Sequence, residues 1–445
     1  MATAAGSLAL VLLSLSAPQP RSARVDALTA AVDPVRLMDT VARLVSFGTR
    51  HTLSETASET RGIGAARRWL LGEAVALSRG EGSRLVPFED RFTAGPEPRI
   101  PRPVEILNVG VVLPGVGPAR AREAIVLAGH YDSRATDVMD ATSDAPGADD
   151  DGSGVALVLE LARVMARERP AVTVYFVAVA GEEQGLTGSA HLARRLRAEG
   201  ISVLAMLAVD TAGNIEGIDG VRDGVSARLF SEGVPRVETE AEQKLREALG
   251  TENDGASREW ARYLKRVAER YVENLDLWVM FRQDRIARGG DHMSFTREGY
   301  PAIRLTEAHE NYDRQHQVPR TEGGRAYGDD LAHLDAGYLA KLTRGVVAAV
   351  ASLSAAPSPP REVALGGAVS SATRLMVELP RDPRVVGLVL YRRRADAVAW
   401  ERAEAYPRTD RIVLDGVIVD NHAFAVATVD AEGNESLPAH PARLL

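Results

Sequence analysis

Cysteine is absent from all 445 residues, and that absence excludes disulfide staples, thiolate metal sites, catalytic thiols and lipid attachment through a cysteine. Any metal ion must therefore rest on His, Asp and Glu. Positive charge is also short. Lys and Arg total 53 against 61 Asp and Glu, a formal net charge of −8, which argues against nucleic acid or an anionic membrane as the main partner. Beyond the N-terminal stretch, membrane-spanning runs are missing too, because charge interrupts the later long apolar runs within a few residues, so no transmembrane segment is expected. What remains, 45% hydrophobic and 26% charged residues, suits a globular chain with one large domain and a smaller one.

The apolar stretch Leu8 to Leu15, followed by Pro18 and Pro20, has the length of a secretory h-region and is too short to span a bilayer. It predicts a signal peptide over residues 1–24 and a secreted or periplasmic protein, although no Lys or Arg precedes it. The competing reading is a disordered or interfacial tail.

From about Val35 to Ser352 apolar strand-like runs alternate with helical patterns, which predicts an α/β domain of three αβα layers around a mixed, mostly parallel sheet. Ala124 to Ala128, Val172 to Val179 and Val203 to Val209 are the best strands, apolar on both faces as buried parallel strands are. Helices are expected over Gly154 to Arg167 and Thr187 to Ala198, each straight after a glycine-containing turn. Residues 215–288 contain a Glu-, Arg- and Lys-rich segment, Glu238 to Tyr271, with helical periodicity, and are expected to form a helical insertion in the domain at 25–353. Pro357, Pro359 and Pro360 mark a linker at 354–361. Beyond it, at 362–445, short alternating strands are expected over Arg374 to Leu379, Val385 to Arg392, Arg411 to Leu414 and His422 to Val429, the pattern of a small all-β sandwich. This piece resembles a fibronectin type III domain.

Residues able to carry chemistry gather where strands end, the place at which open α/β sheets form their crevice. Ile125-Val-Leu-Ala-Gly-His130-Tyr-Asp132-Ser delivers a histidine, with a carboxylate two residues later to hold its ring. Pro146-Gly-Ala-Asp149-Asp150-Asp151-Gly-Ser-Gly puts three acids at a helix start, where one would be an ordinary cap and three repel unless positive charge sits among them. Val177-Ala-Val-Ala-Gly-Glu182-Glu183-Gln-Gly sets two carboxylates after a buried strand, so that one can bind metal while the other moves a proton. Leu207-Ala-Val-Asp210 ends a third strand, and Glu310-Asn-Tyr312-Asp-Arg-Gln-His316-Gln offers a histidine in a loop after Asp291-His292-Met-Ser-Phe295.

In this order the motifs resemble the co-catalytic zinc peptidases of metallopeptidase clan MH, which include bacterial leucine-type aminopeptidases and plasma glutamate carboxypeptidases, over roughly Ser46 to Ala349. The resemblance implies two zinc ions bridged by Asp150, with Glu183 and His316 on one and His130 and Asp210 on the other. It also implies Glu182 as general base and a cis-like peptide after Asp150. Two positions depart from the family pattern. His316-Gln-Val-Pro stands where His-Thr-Pro-x-Asp is usual, and Gly290 replaces a serine before Asp291-His292, which leaves His309 as a rival for the last ligand.

The implied reaction is hydrolysis of a terminal peptide bond, with peptide or protein N-termini as substrates. Carboxylate capacity around the metals suits an α-ammonium group and favours an aminopeptidase; Arg304 or Arg314 clamping a substrate carboxylate would instead make a carboxypeptidase or dipeptidase. Tyr312 is a candidate oxyanion donor. A glutaminyl cyclase and a catalytically silent binding ectodomain are the competing readings, and the C-terminal piece is a candidate for surface or partner binding.

Overall fold

The computed structural model describes residues 21–445, which divide into two compact units, Arg21–Ala356 and Pro357–Leu445. Most of the expected leader, residues 1–20, lies outside the described residues. Arg21 to Arg24 belong to the first unit: the Ser22 N–H donates to the Tyr271 hydroxyl at 2.8 Å, and Arg24 pairs with Glu168.

The first unit is built on strands β1 (Val86–Ala94), β2 (Val104–Leu113), β3 (Glu123–His130), β4 (Thr173–Val179), β5 (Ser202–Val209), β6 (Ser226–Ser231), β7 (Asp276–Met280) and β8 (Ala302–Glu307). They form one sheet in the order β1-β2-β4-β3-β5-β8-β6-β7. The central four, β4, β3, β5 and β8, run parallel, while β2 and β6 join them antiparallel. The central strands therefore end together on one side of the sheet. In β3 every residue after Glu123 is buried, as a strand covered on both faces requires.

Helices α1 (Ala23–Ala30), α2 (Pro34–Val45), α3 (Gly62–Ser78), α4 (Gly154–Met165), α5 (Thr187–Ala198), α6 (Glu240–Leu249), α7 (Ala256–Tyr271), α8 (His292–Arg297) and α9 (Ala336–Ala355) surround that sheet. Pro34 at the first turn and Asp33, whose side chain accepts from the Val35 N–H, start α2. Asp335 caps α9 in the same way through the Tyr338 N–H. One face of β3 carries Val126 and Ala128 against Leu192 and Leu196 of α5 and Phe295 of α8. The other face meets α4 so closely that a Cβ on Gly129 would lie 2.6 Å from the Gly154 carbonyl carbon. Only glycine lets the start of α4 sit directly behind the end of β3.

The segment 215–288 corrects the expectation of a helical insertion. It holds α6 and α7, but also β6 and β7, which extend the main sheet. α7 is no appendage: Trp260 and Tyr263 are buried, and the Trp260 indole N–H donates to the Met206 carbonyl of β5 at 3.1 Å. A small hairpin, β9 (Arg320–Glu322) and β10 (Arg325–Tyr327), follows β8.

In the second unit, β11 (Glu362–Gly366), β12 (Ala372–Glu378), β13 (Gly387–Arg394), β14 (Arg402–Pro407), β15 (Arg411–Asp415), β16 (His422–Val429) and β17 (Arg443–Leu444) form two sheets, β15-β12-β11-β17 and β14-β13-β16. Alternate residues of β12 are buried, among them Leu375 and Val377. This unit is all-β as expected. Three of its strands, β11, β14 and β17, have no counterpart among those expected, and Ser354, placed in the linker, is buried within α9.

Candidate metal centre

The ends of β3, β4 and β5, the turn before α4 and the loop after β8 converge on one crevice. His130 is the last residue of β3, Glu182 and Glu183 follow β4 in a turn with Gly181 at φ 75°, and Asp210 follows β5. Asp150 stands in an irregular helical turn, Ala148–Ser153, with φ −104° and ψ 89°, and its peptide to Asp151 is cis.

Two donor sets share Asp150. His130, Asp150 and Asp210 form one, and Asp150, Glu183 and His316 the other, the donor atoms of each lying within 4.8 Å of one another. The shared carboxylate faces both ways. Its Oδ1 is 3.1 Å from His130 Nε2 and its Oδ2 is 2.9 Å from His316 Nε2, while His316 Nε2 is also 3.0 Å from Glu183 Oε1.

The donors fit metal ions. His130 Nε2 and Glu183 Oε1 are buried and close to Asp150 and His316 respectively, yet neither makes a well-aligned hydrogen bond, a costly state for polar atoms unless a ligand completes them. Electrostatics points the same way. Burial disfavours charge on His316, yet Glu183 and Asp150 outweigh it and raise its pKa to about 10. Burial, then Asp150, pushes Asp210 up to about 7. Burial disfavours charge on Asp150 too, but His316 and His130 outweigh it and hold its carboxyl well below the usual carboxylate range. With more carboxylates than imidazoles, the crevice is short of positive charge, which cations on nitrogen and oxygen donors supply.

The three consecutive acids go to three different tasks. Asp149 Oδ1 accepts the Gly213 N–H at 2.7 Å, Asp150 enters the crevice, and Asp151 accepts the N–H groups of Gly154 at 2.9 Å and His130 at 2.8 Å. Asp151 thus ties the helix start to the end of β3.

Asp132 departs from its expected role. His130 Nδ1 lies 3.0 Å from the Asp132 carbonyl oxygen, whereas the nearest carboxylate oxygen is 3.8 Å away. The buried carboxylate takes other donors, the N–H groups of Glu182 at 3.3 Å and Glu183 at 3.2 Å and the Thr52 hydroxyl at 3.3 Å. It holds the turn that carries both glutamates, and the imidazole is oriented by a backbone carbonyl instead. Glu182 is half-buried and belongs to neither donor set. Burial, with Glu183, Asp210 and Asp291 nearby, holds its pKa well above the usual range despite His130.

His309 pairs with Asp219 at 3.0 Å and stands outside both donor sets. Tyr312 is 56% exposed. Neither arginine proposed as a substrate clamp is free: Arg304 is buried with Nη2 2.9 Å from Asp210 Oδ1, and Arg314 contacts Asn214 and Glu216. Sequence reasoning missed Arg50, His51, Thr52 and Asp329. Arg50 is fully buried and donates to the Tyr131 carbonyl, and His51 Nε2 lies 3.1 Å from Gln184 Nε2. The signal for the first three was a polar Thr49-Arg-His-Thr52 run far from any motif, and Asp329 stood in Tyr327-Gly-Asp-Asp330 with no motif around it.

A mixed sheet between helices, with His and carboxylate donors at the ends of its parallel strands, is the architecture of the zinc exopeptidase-like fold. Residues 108–350 match the model of peptidase family M28, and the chain belongs to that family. It is 38% identical over 430 residues to a probable zinc metalloprotease of Leptosphaeria maculans, covering 96% of this chain and 99% of the relative. A probable zinc metalloprotease of Pyricularia oryzae is 42% identical over 353 residues, 78% of this chain and 70% of the relative. Among solved structures, LapB from Legionella pneumophila shares the fold at TM-score 0.53 and 21% identity, covering 77% of this chain and 78% of LapB. The LapA aminopeptidase of the same organism does so at TM-score 0.52 and 20% identity, covering 74% of each chain.

Proposed function

We propose that this chain is a two-zinc aminopeptidase, with His130 and Asp210 on one ion, Glu183 and His316 on the other, and Asp150 on both. The observation that carries the reading is the two-way carboxylate of Asp150 between two histidines, with Glu182 beside the site and outside both donor sets. The zinc assignment is supported by the probable zinc metalloproteases among its relatives and by donors limited to nitrogen and oxygen.

When bound, the ions supply Lewis acidity, lowering the pKa of water and polarising the scissile carbonyl. The chain's own residues do the rest. Glu182 takes a proton from the attacking water and returns it to the leaving amine as the C–N bond breaks. Asp132 fixes the Glu182–Glu183 turn through its two N–H groups, which sets where that proton is received. The excess of carboxylate favours a substrate presenting an α-ammonium group, which makes N-termini the preferred end. The apolar run Leu8 to Leu15 supports export to the periplasm or medium.

Metal analysis paired with hydrolysis of aminoacyl and N-blocked peptides, on wild type and Glu182→Gln, tests the reading. Both proteins should hold two zinc ions per chain. Only wild type should cleave, the variant losing a factor of roughly 10²–10⁴. Cleavage of N-blocked peptides at full rate would contradict the aminopeptidase assignment, and well-folded protein without metal would contradict the whole.

A further inference from the structure

The bridging carboxylate reaches the crevice from an irregular stretch, Pro146 to Asp150, and the polar backbone groups of that stretch are taken up by two residues far away in sequence. Arg50 Nη2 donates to the Gly147 carbonyl at 2.9 Å and Nη1 donates to the Pro146 carbonyl. The Asp329 carboxylate accepts two consecutive N–H groups, Asp149 on Oδ1 and Asp150 on Oδ2, both at 2.8 Å. The Asp329 carbonyl accepts a third, from Ala148, at 3.2 Å. Both side chains are buried, Arg50 at 0% and Asp329 at 4% exposure. Arg50 Nε also donates to the Tyr131 carbonyl at 2.7 Å, beside the ligand His130.

We propose that Asp329 and Arg50 form a brace that positions the bridging carboxylate for metal, Asp329 by holding the amides of residues 148–150 and Arg50 by holding the carbonyls of 146, 147 and 131. The inference rests on the zinc reading above. Arg50 lies outside the residues 108–350 matched by the family model. Placing a fourth carboxylate beside Asp149, Asp150 and Asp151 is unfavourable in itself. Two acceptor oxygens at carboxylate spacing are what two adjacent N–H groups require, and an amide offers only one. Because Asp150 belongs to both donor sets, loosening it weakens both ions together. Residues orienting metal ligands typically contribute 10–100-fold in affinity.

The test is titration of metal-free, full-length protein with cobalt(II) alone, followed by its visible absorption bands and by zinc displacement, with circular dichroism as the folding control. Asp329→Asn and Arg50→Lys should keep the wild-type circular dichroism and bind cobalt roughly 10–100-fold more weakly at both sites, with altered bands. Wild-type affinity and bands in both variants would overturn the brace. If Asp329→Asn does not fold, Asp329→Glu, which keeps both acceptors and shifts them by one methylene, makes the same comparison: weakened binding in folded protein supports the brace and unchanged binding overturns it. Wild-type protein that takes up no cobalt overturns the zinc reading and the brace with it, an outcome distinct from a variant-specific loss.

Discussion

Arg304 holds Asp210 from the neighbouring strand. Its Nη2 lies 2.9 Å from Asp210 Oδ1, with both residues buried, and β5 and β8 pair so that Ala208 stands opposite Arg304. The guanidinium is a fixed counter-charge for a carboxylate that the proposed zinc would also neutralise. Arg304→Met should therefore destabilise metal-free protein by about 3–5 kcal/mol, the usual cost of breaking a buried ion pair. The cost should be smaller with zinc bound, because the ion supplies the missing charge. Denaturant unfolding with and without zinc checks this, and an equal loss in both states would contradict it.

Gly129 is a packing requirement of the centre. An added Cβ would meet Gly154 C at 2.6 Å and Val155 N at 2.7 Å, backbone atoms of α4 that cannot yield without moving the turn carrying Asp150. Gly129→Ala should cost about 1–3 kcal/mol, in the range of core overpacking, and should lower zinc content. Unchanged melting temperature and stoichiometry would show that α4 has more freedom than its contacts imply.

Glu310 answers three arginines at once, Arg228 at 2.6 Å, Arg285 at 3.1 Å and Arg288 at 2.7 Å. Burial raises its pKa, but the three guanidiniums outweigh burial and bring it down to about 2. A folded pKa below the unfolded value of about 4.3 means that the ionised group stabilises the fold above that value. The contribution is lost as pH falls from there toward the folded value. Wild type should exceed Glu310→Gln in unfolding free energy near neutral pH, and the gap should narrow steadily below about pH 4. A gap that ignores pH would sink this account of the cluster.

Much of the centre was legible because buried parallel strands leave continuous apolar runs, and the residues that end such runs face one crevice. His130, Glu183 and Asp210 were readable in that way; Asp150 and His316 needed the order of motifs as well. Asp132 was legible as a member of the site but not in its role, since nothing in the spacing says that its carboxylate would hold the Glu182 and Glu183 amides while its carbonyl faced the imidazole. Arg50 and Asp329 were invisible because they act through backbone groups about a hundred or more residues away, 97 for Arg50 to Gly147 and 180 for Asp329 to Asp149. The strands β6 and β7 escaped notice because Ser-Ala-Arg-Leu-Phe-Ser and Asp-Leu-Trp-Val-Met are short and carry charge, as sheet strands near an edge commonly do.

The most direct test of the central claim is anomalous diffraction at the zinc edge from crystals of the purified, zinc-loaded protein. Two peaks are predicted, one contacting His130 and Asp210, the other Glu183 and His316, with Asp150 between them. A single peak, or peaks bound by His309 in place of His316, would contradict the account.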